Sequence, residues 1–210
     1  MNMKFFVGLL FAGMATTSAF AQSTALKSQL DESYKIASCY VAKGDMASAV
    51  GVCDQVDGLL QTNKTTDPRF TELRQKATAS GAVKGDRNVI NKIASAKSQL
   101  DGLVKDVAAS NAKGDYKTSL SNIKKAEEIA SSNCIEESRF VSPKADATKL
   151  KNIADAKAQV DYLVMTAQAN IKKGDYKAAK ANLAQADAIM KPYSMTDARV
   201  ENIRTEVKSK

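Results

Sequence analysis

The sequence contains no histidine and no tryptophan, and it has only three cysteines and three prolines in 210 residues. Histidine is the commonest general base and metal ligand in proteins, so its absence removes the most frequent route to acid–base or zinc chemistry. The chain also lacks a glycine-rich phosphate loop, paired cysteines at zinc spacing, a nucleophile elbow and an acidic calcium loop. We therefore predict a protein that is not an enzyme and that binds no cofactor and no metal.

Aromatic side chains are also scarce, at 6% of the residues. Proteins that bind single-stranded nucleic acid stack the bases on aromatic rings, and this chain offers few of them. The composition therefore disfavours single-stranded nucleic acid, and we do not expect a sequence-specific nucleic-acid partner either.

The N-terminal segment, 1–21, has the three parts of a secretory signal peptide. Lys4 supplies the charge, Phe5–Ala15 is an apolar run too short to span a bilayer, and Ala19-Phe20-Ala21 is a small-x-small cleavage site. We predict cleavage after Ala21 and a periplasmic or secreted protein.

One tight turn occurs three times, and the residues around it keep the same register each time. Apolar residues recur at helical spacing on both sides of each turn, which predicts amphipathic helices joined as hairpins. Glycine can adopt the left-handed conformation that ends one helix, and aspartate can cap the next. The three turns are Lys43-Gly44-Asp45, Lys113-Gly114-Asp115 and Lys173-Gly174-Asp175.

This pattern predicts an all-α fold of helical hairpin repeats, either an α-solenoid or an elongated bundle of about eight helices. We place the first repeat at residues 22–80, the second at 81–140 and the third at 141–210. A short helix follows each hairpin, and the last of these should cap the C-terminus.

An arginine follows each turn at a constant distance, at the start of each short helix. Arginine in the first turn opposes the helix dipole, so we expect a carboxylate to hold it there. The predicted ion pairs are Arg69 with Asp57, Arg139 with Glu127 and Arg199 with Asp187. The alternative is that the three arginines are presented to an anionic polymer. Three lysine–aspartate pairs four residues apart are predicted to be intrahelical: Lys27 with Asp31, Lys97 with Asp101 and Lys157 with Asp161.

The three cysteines leave two interpretations open. Cys39 and Cys53 occupy apolar positions of the first hairpin, where they form either two buried thiols or a disulfide across the hairpin. Cys134 lies in a connecting loop, so we predict that it is exposed, as a free thiol or as an intermolecular disulfide site.

The helix after each turn resembles the second helix of a tetratricopeptide repeat. In the third unit the resemblance rests on Gly174-Asp175-Tyr176, Ala179, Leu183, Ala186 and Pro192. The segments Gly114–Ile129, with Ser119 at the small position, and Gly44–Leu59, with Ala49 and Val56, follow the same pattern. The resemblance implies a tetratricopeptide-like scaffold that binds a protein or peptide along the face of its first helices.

The candidate contact residues lie on one side of those first helices. They are Tyr34, Lys35, Ser38, Lys105, Asn111, Met165, Gln168, Ile171 and Lys172.

Two other functions remain as alternatives. Residues 141–210 carry thirteen basic and eight acidic side chains, which favours salt-sensitive binding of an anionic envelope polymer or membrane surface. The second alternative is a structural envelope protein that self-associates through Cys134.

Overall fold

The computed structural model describes residues 19–79, 81 and 83–209, and these residues contain eight α-helices and no strand. The predicted all-α fold is confirmed. The predicted signal peptide lies outside the described residues except for its last three positions. The helices are α1 (Ala19–Ala42), α2 (Met46–Thr62), α3 (Pro68–Thr78), α4 (Val89–Ala112), α5 (Tyr116–Ser132), α6 (Val141–Lys172), α7 (Tyr176–Met190) and α8 (Ala198–Lys208), with a 3₁₀ turn at Lys191–Tyr193.

The chain divides into two compact units. Unit 1 comprises Met1–Lys105 and Asn122–Arg139, and unit 2 comprises Asp106–Ser121 and Phe140–Lys210. The helices α4 and α5 contribute to both units, so the second predicted repeat is divided between them.

Each unit has its own apolar core, built from the stripes that the helical spacing predicts. The core of unit 1 is formed mainly by α1, α2 and α3, and its largest fully buried side chain is Phe70. The core of unit 2 includes Val160 and Val164 of α6, Leu183 of α7, and Val200 and Ile203 of α8. Valine and alanine are frequent in both cores, so the helices pack largely through small side chains.

The glycine turns have the predicted geometry. Gly44, Gly114 and Gly174 have φ angles of 77°, 72° and 78°, in the left-handed region that a side chain would disfavour. The aspartate after each glycine accepts a hydrogen bond from a backbone N–H three residues later, at 2.9 to 3.1 Å. These local contacts end one helix and begin the next.

A second left-handed position recurs at the far end of each hairpin. Lys64, Cys134 and Ser194 have φ angles of 50°, 56° and 52°, although none of them is glycine. The residue after each one donates its backbone N–H to the carbonyl five residues earlier, which is the Schellman form of helix ending. The repeat in the sequence therefore extends to the backbone geometry.

The disulfide differs from both interpretations of the cysteines. Cys39 of α1 is bonded to Cys134 beyond α5, with 5.7 Å between their Cα atoms, and Cys53 is a buried free thiol. Cys134 is only 7% exposed, so the prediction of an exposed thiol is wrong. Burial raises the pKa of the Cys53 thiol, which keeps it in its unreactive protonated form.

The segment between α3 and α4 lies directly on α2. The backbone N–H of Asp86 donates to the carbonyl of Ala47 at 2.8 Å. A Cβ atom on Gly51 would collide with the carbonyl oxygen of Asp86 and would lie 2.9 Å from Val89 Cγ1. Glycine at position 51 therefore permits this close approach.

Candidate functional site

Each recurrent arginine is held between two carboxylates. One carboxylate lies two residues earlier, and the other lies on the first helix of the hairpin. A short helix follows only the first and third hairpins, so its prediction for the second is wrong: Glu137 and Arg139 lie in the turn that leads directly into α6. The three sets are Arg69 with Asp67 and Asp31, Arg139 with Glu137 and Asp101, and Arg199 with Asp197 and Asp161.

The predicted partners of these arginines are therefore wrong. Asp57 is bonded by Arg74 at 2.5 Å, and Asp187 is bonded by Arg204 at 2.6 Å. Arg139 uses Glu137 and Asp101 rather than Glu127. The physical reason is that the first helix of each hairpin, and not the second, faces the arginine that follows the hairpin.

The predicted intrahelical pairs are corrected by the same contacts. The aspartates at 31, 101 and 161 accept from the arginines instead of from Lys27, Lys97 and Lys157. Lys97 donates to Glu32 of α1 at 2.5 Å, within unit 1.

The arginine sets hold their carboxylates in the charged form. The hydrogen bond from Arg69 lowers the pKa of Asp67 below its ordinary value of 3.8, and Arg139 lowers that of Glu137 in the same way. The two carboxylates also raise the pKa of each guanidinium. Because each arginine is already occupied by two carboxylates, the geometry disfavours the alternative in which the arginines bind an anionic polymer.

The candidate contact residues on α1 make contacts within unit 1. Tyr34 packs edge-on against Phe70, with 6.0 Å between ring centroids, and the Arg69 guanidinium lies 5.0 Å from the Tyr34 ring centroid. Lys35 donates to Glu136 at 2.7 Å, which raises the pKa of Lys35. Ser38 is half-buried, and no hydrogen-bond partner of its hydroxyl is among the described residues. This side of α1 is therefore largely used inside the protein.

The two candidates on α4 have different surroundings. Lys105 is exposed. Asn111 is half-buried, and its side-chain amide donates to the carbonyl of Pro143 at 2.9 Å within unit 2. Asn111 thus anchors the start of α6.

The structure places three of the four α6 candidates on the solvent-exposed side of the helix. Met165 is 68% exposed, and Gln168 and Lys172 are exposed beside it. Ile171 is half-buried and packs against the core of unit 2, so it does not lie on this face. Sequence reasoning missed Tyr162, which is 69% exposed and lies one turn before Met165. The sequence could have indicated it, because helical spacing places a tyrosine three residues before Met165 on the same side as Met165 and outside the buried stripe.

We define the α6 stripe as six exposed residues that follow one another along this face. Successive members are three or four residues apart, so they lie on one side of the helix. The stripe has two large apolar side chains at its centre and an alanine on each side of them. Its N-terminal end carries a negative charge and its C-terminal end a positive charge. Its members are Asp155, Ala158, Tyr162, Met165, Ala169 and Lys172.

A shallow cleft of about 360 Å³ lies beside the N-terminal end of the stripe. Asn152, Asp155 and Gln159 of α6 line one side, and Pro192 and Tyr193 of the 3₁₀ turn line the other. Tyr193 is 37% exposed. The cleft extends the accessible surface of unit 2 with amide and aromatic groups.

Lysines crowd the turn ends of the two hairpins that contribute to unit 2. Five exposed lysines lie there: Lys113, Lys117, Lys172, Lys173 and Lys177. The aspartates of these turns, Asp115 and Asp175, accept hydrogen bonds from backbone N–H groups of the following helices. These five side chains make the turn ends rich in exposed positive charge.

Neither a metal site nor a membrane span is found among the described residues. No group of three or more histidine, cysteine, aspartate or glutamate side chains converges there in a way that could hold a metal ion. In the same residues, every helix is too short or too polar to cross a membrane.

No protein-family model matches this chain, and neither the curated proteins nor the solved structures compared with it include a match.

Proposed function

We propose that this protein is a non-catalytic, exported scaffold of tetratricopeptide-like hairpins that binds a protein or peptide partner through the α6 stripe. The observation that carries the proposal is the exposure of Tyr162 and Met165, at 69% and 68%, side by side on one helix. Large apolar side chains that are adjacent and exposed mark interaction surfaces more often than scattered ones do. The signal-like N-terminus supports a function in the periplasm or outside the cell.

The energetics of the stripe suit a protein partner. Complete burial of one large apolar side chain contributes about 1.5 to 3 kcal/mol, so Tyr162 and Met165 together supply a useful anchor. Tyrosine and methionine are also enriched in the cores of protein interfaces. The flanking alanines let a partner backbone approach closely, and the charged ends supply a polar rim.

The test compares capture of envelope proteins by the wild type and two variants. Met165→Asp places a charge in the centre of the stripe and should abolish capture of any specific partner. The matched control is Val141→Asp, because Val141 lies on the same helix, is 70% exposed and is outside the stripe. A partner retained at high salt by the wild type and the control, but lost by Met165→Asp, supports the proposal. Equal capture by all three proteins contradicts it.

The exposed lysines at the turn ends of unit 2 favour a second function, the salt-sensitive binding of an anionic polymer or surface. Binding that neutralises several phosphate or sulfate groups weakens steeply as salt rises, because the release of counterions then contributes less. The test is heparin affinity as a function of salt for Lys173→Gln with Lys177→Gln. The control is Lys76→Gln with Lys125→Gln, two exposed lysines of unit 1, which makes the same change in net charge. Selective weakening by the first pair supports this function.

A further inference from the structure

We propose that the partner of the α6 stripe is the same stripe of a second copy of this chain, with the two helices antiparallel. This inference rests on the proposed function, because it takes the α6 stripe as a protein-binding surface and names what binds it. It also differs from self-association through Cys134, which is bonded to Cys39 inside the chain.

The stripe is self-complementary in its spacing. Its members are separated by three, four, three, four and three residues, a series that is the same in both directions. A twofold interface requires that residue i contact residue j of the partner while j contacts i. With the twofold axis at the midpoint between Leu163 and Val164, Tyr162 faces Met165 of the second copy and Ala158 faces Ala169.

The charges at the two ends select the antiparallel orientation. The same twofold axis brings Asp155 opposite Lys172 of the second copy, and this pair occurs twice in the dimer. In a parallel dimer Asp155 would face Asp155 of the second copy and Lys172 would face its Lys172, so like charges would oppose each other. Asp155 also contacts Lys151 at 2.7 Å, but its side chain keeps 49% of its exposure, so the carboxylate can accept from a second cation.

The residue sizes suit close helix packing. The alanines on both sides of the centre allow the helix backbones to approach, and the central tyrosine and methionine then fill the space between the turns. Methionine sulfur packs favourably against aromatic rings, which suits the crossed Tyr162 and Met165 contacts. From Asp155 to Lys172 the stripe follows about 26 Å of helix.

The corresponding face of α1 already serves as a docking face inside unit 1. In the repeat register, Tyr162, Met165 and Ala169 align with Glu32, Lys35 and Cys39. Glu32 accepts from Lys97, Lys35 donates to Glu136, and Cys39 is bonded to Cys134. On α1 all three positions therefore bond to another segment of unit 1, although Glu32 and Lys35 stay exposed. The three positions on α6 carry exposed side chains, two of them large and apolar.

Sedimentation equilibrium of the purified protein over a range of concentrations tests the inference. We expect a monomer–dimer equilibrium whose association constant falls at least about tenfold in Met165→Asp and is unchanged in Val141→Asp. Tyr162→Gln is a second variant with the same expected direction, and circular dichroism at 222 nm checks that each variant keeps its helices.

A charge exchange tests the orientation. Asp155→Lys and Lys172→Asp should each weaken the dimer, because each opposes like charges, and the double variant should recover the wild-type association constant. A double variant as weak as the single variants would overturn the antiparallel pairing.

The outcomes separate this inference from the proposed function. A wild type that stays monomeric at all concentrations, but captures another protein through Met165, overturns the second copy as partner and leaves the proposed function standing. A protein that neither dimerises nor captures a partner through the stripe overturns both.

Discussion

Loss of the Cys39–Cys134 disulfide should destabilise unit 1 by several kcal/mol. The perturbation is the double variant Cys39→Ser with Cys134→Ser, or addition of a reductant to the wild type. The bond joins residues 95 apart in sequence, and both lie in unit 1. It therefore restricts a long loop of the unfolded chain, and long loops are the case in which a disulfide contributes most.

The magnitude follows from the loop length. The chain-entropy relation for a loop of this size gives about 4.7 kcal/mol, and measured values for natural disulfides extend from about 2 to 5 kcal/mol. The nearby ion pair of Lys35 and Glu136 is exposed and contributes little, so it does not substitute for the bond. We expect a loss of about 3 to 5 kcal/mol in the free energy of unfolding of unit 1.

The assay is urea denaturation followed by circular dichroism at 222 nm, because the chain has no tryptophan for fluorescence. Reductant should lower the midpoint of the wild type and of Cys53→Ala, but not that of the double variant, since Cys53 is not part of the bond. Equal midpoints for the wild type and the double variant would refute the reasoning. Peptide mapping without reductant gives an independent check, and a linked peptide containing Cys53 would refute the pairing.

Three further predictions concern the packing and the arginine sets. Gly51→Ala should destabilise unit 1 by about 1 to 3 kcal/mol in thermal unfolding, because the new Cβ atom meets the Asp86 backbone. The control is Gly58→Ala on the same helix, where the Cβ atom has open space and should stabilise unit 1 by about 0.5 to 1 kcal/mol. Equal effects of the two substitutions would contradict the contact between Gly51 and Asp86. Arg139→Gln should cost about 1 kcal/mol, because it leaves Glu137, whose side chain is 7% exposed, without its cation; an unchanged melting temperature would argue against this role. The arginines lower the pKa values of Asp67, Glu137 and Asp197, so these carboxylates contribute their full stabilisation above about pH 4.5, the ordinary glutamate value. That contribution is lost as the pH falls through the lowered pKa values. In an acid titration, Arg139→Gln should therefore lose less folding stability than the wild type.

The tertiary partners of charged side chains could not be predicted from spacing alone. The sequence predicts that Arg69 pairs with Asp57 on the second helix of the hairpin, and that Asp31 on the first helix pairs with Lys27. The choice depends on which helix of the hairpin faces the short helix, and the structure assigns Asp31. Asp57 instead meets Arg74, further along that short helix.

The candidate surface was predicted in part for a related reason. The sequence identified Met165 and Lys172 from their side of the first helix, but treated the first helices of all three repeats as equivalent. In the structure the α1 face forms ion pairs and a disulfide with other parts of unit 1, whereas the α6 face exposes two large apolar side chains together. Helical periodicity places Tyr162 outside the buried stripe of α6, but its 69% exposure depends on what else packs over the helix, which only the structure shows.

By itself the sequence determined the helices and their ends, because those depend on residues only a few positions apart. Glycine supplies the left-handed turn and aspartate caps the next helix in each of the three hairpins. The tertiary structure alone decided the Cys39–Cys134 bond, the carboxylates of each arginine and the exposure of the α6 stripe. These features join or cover residues far apart in the chain, so they follow from how the helices pack against one another.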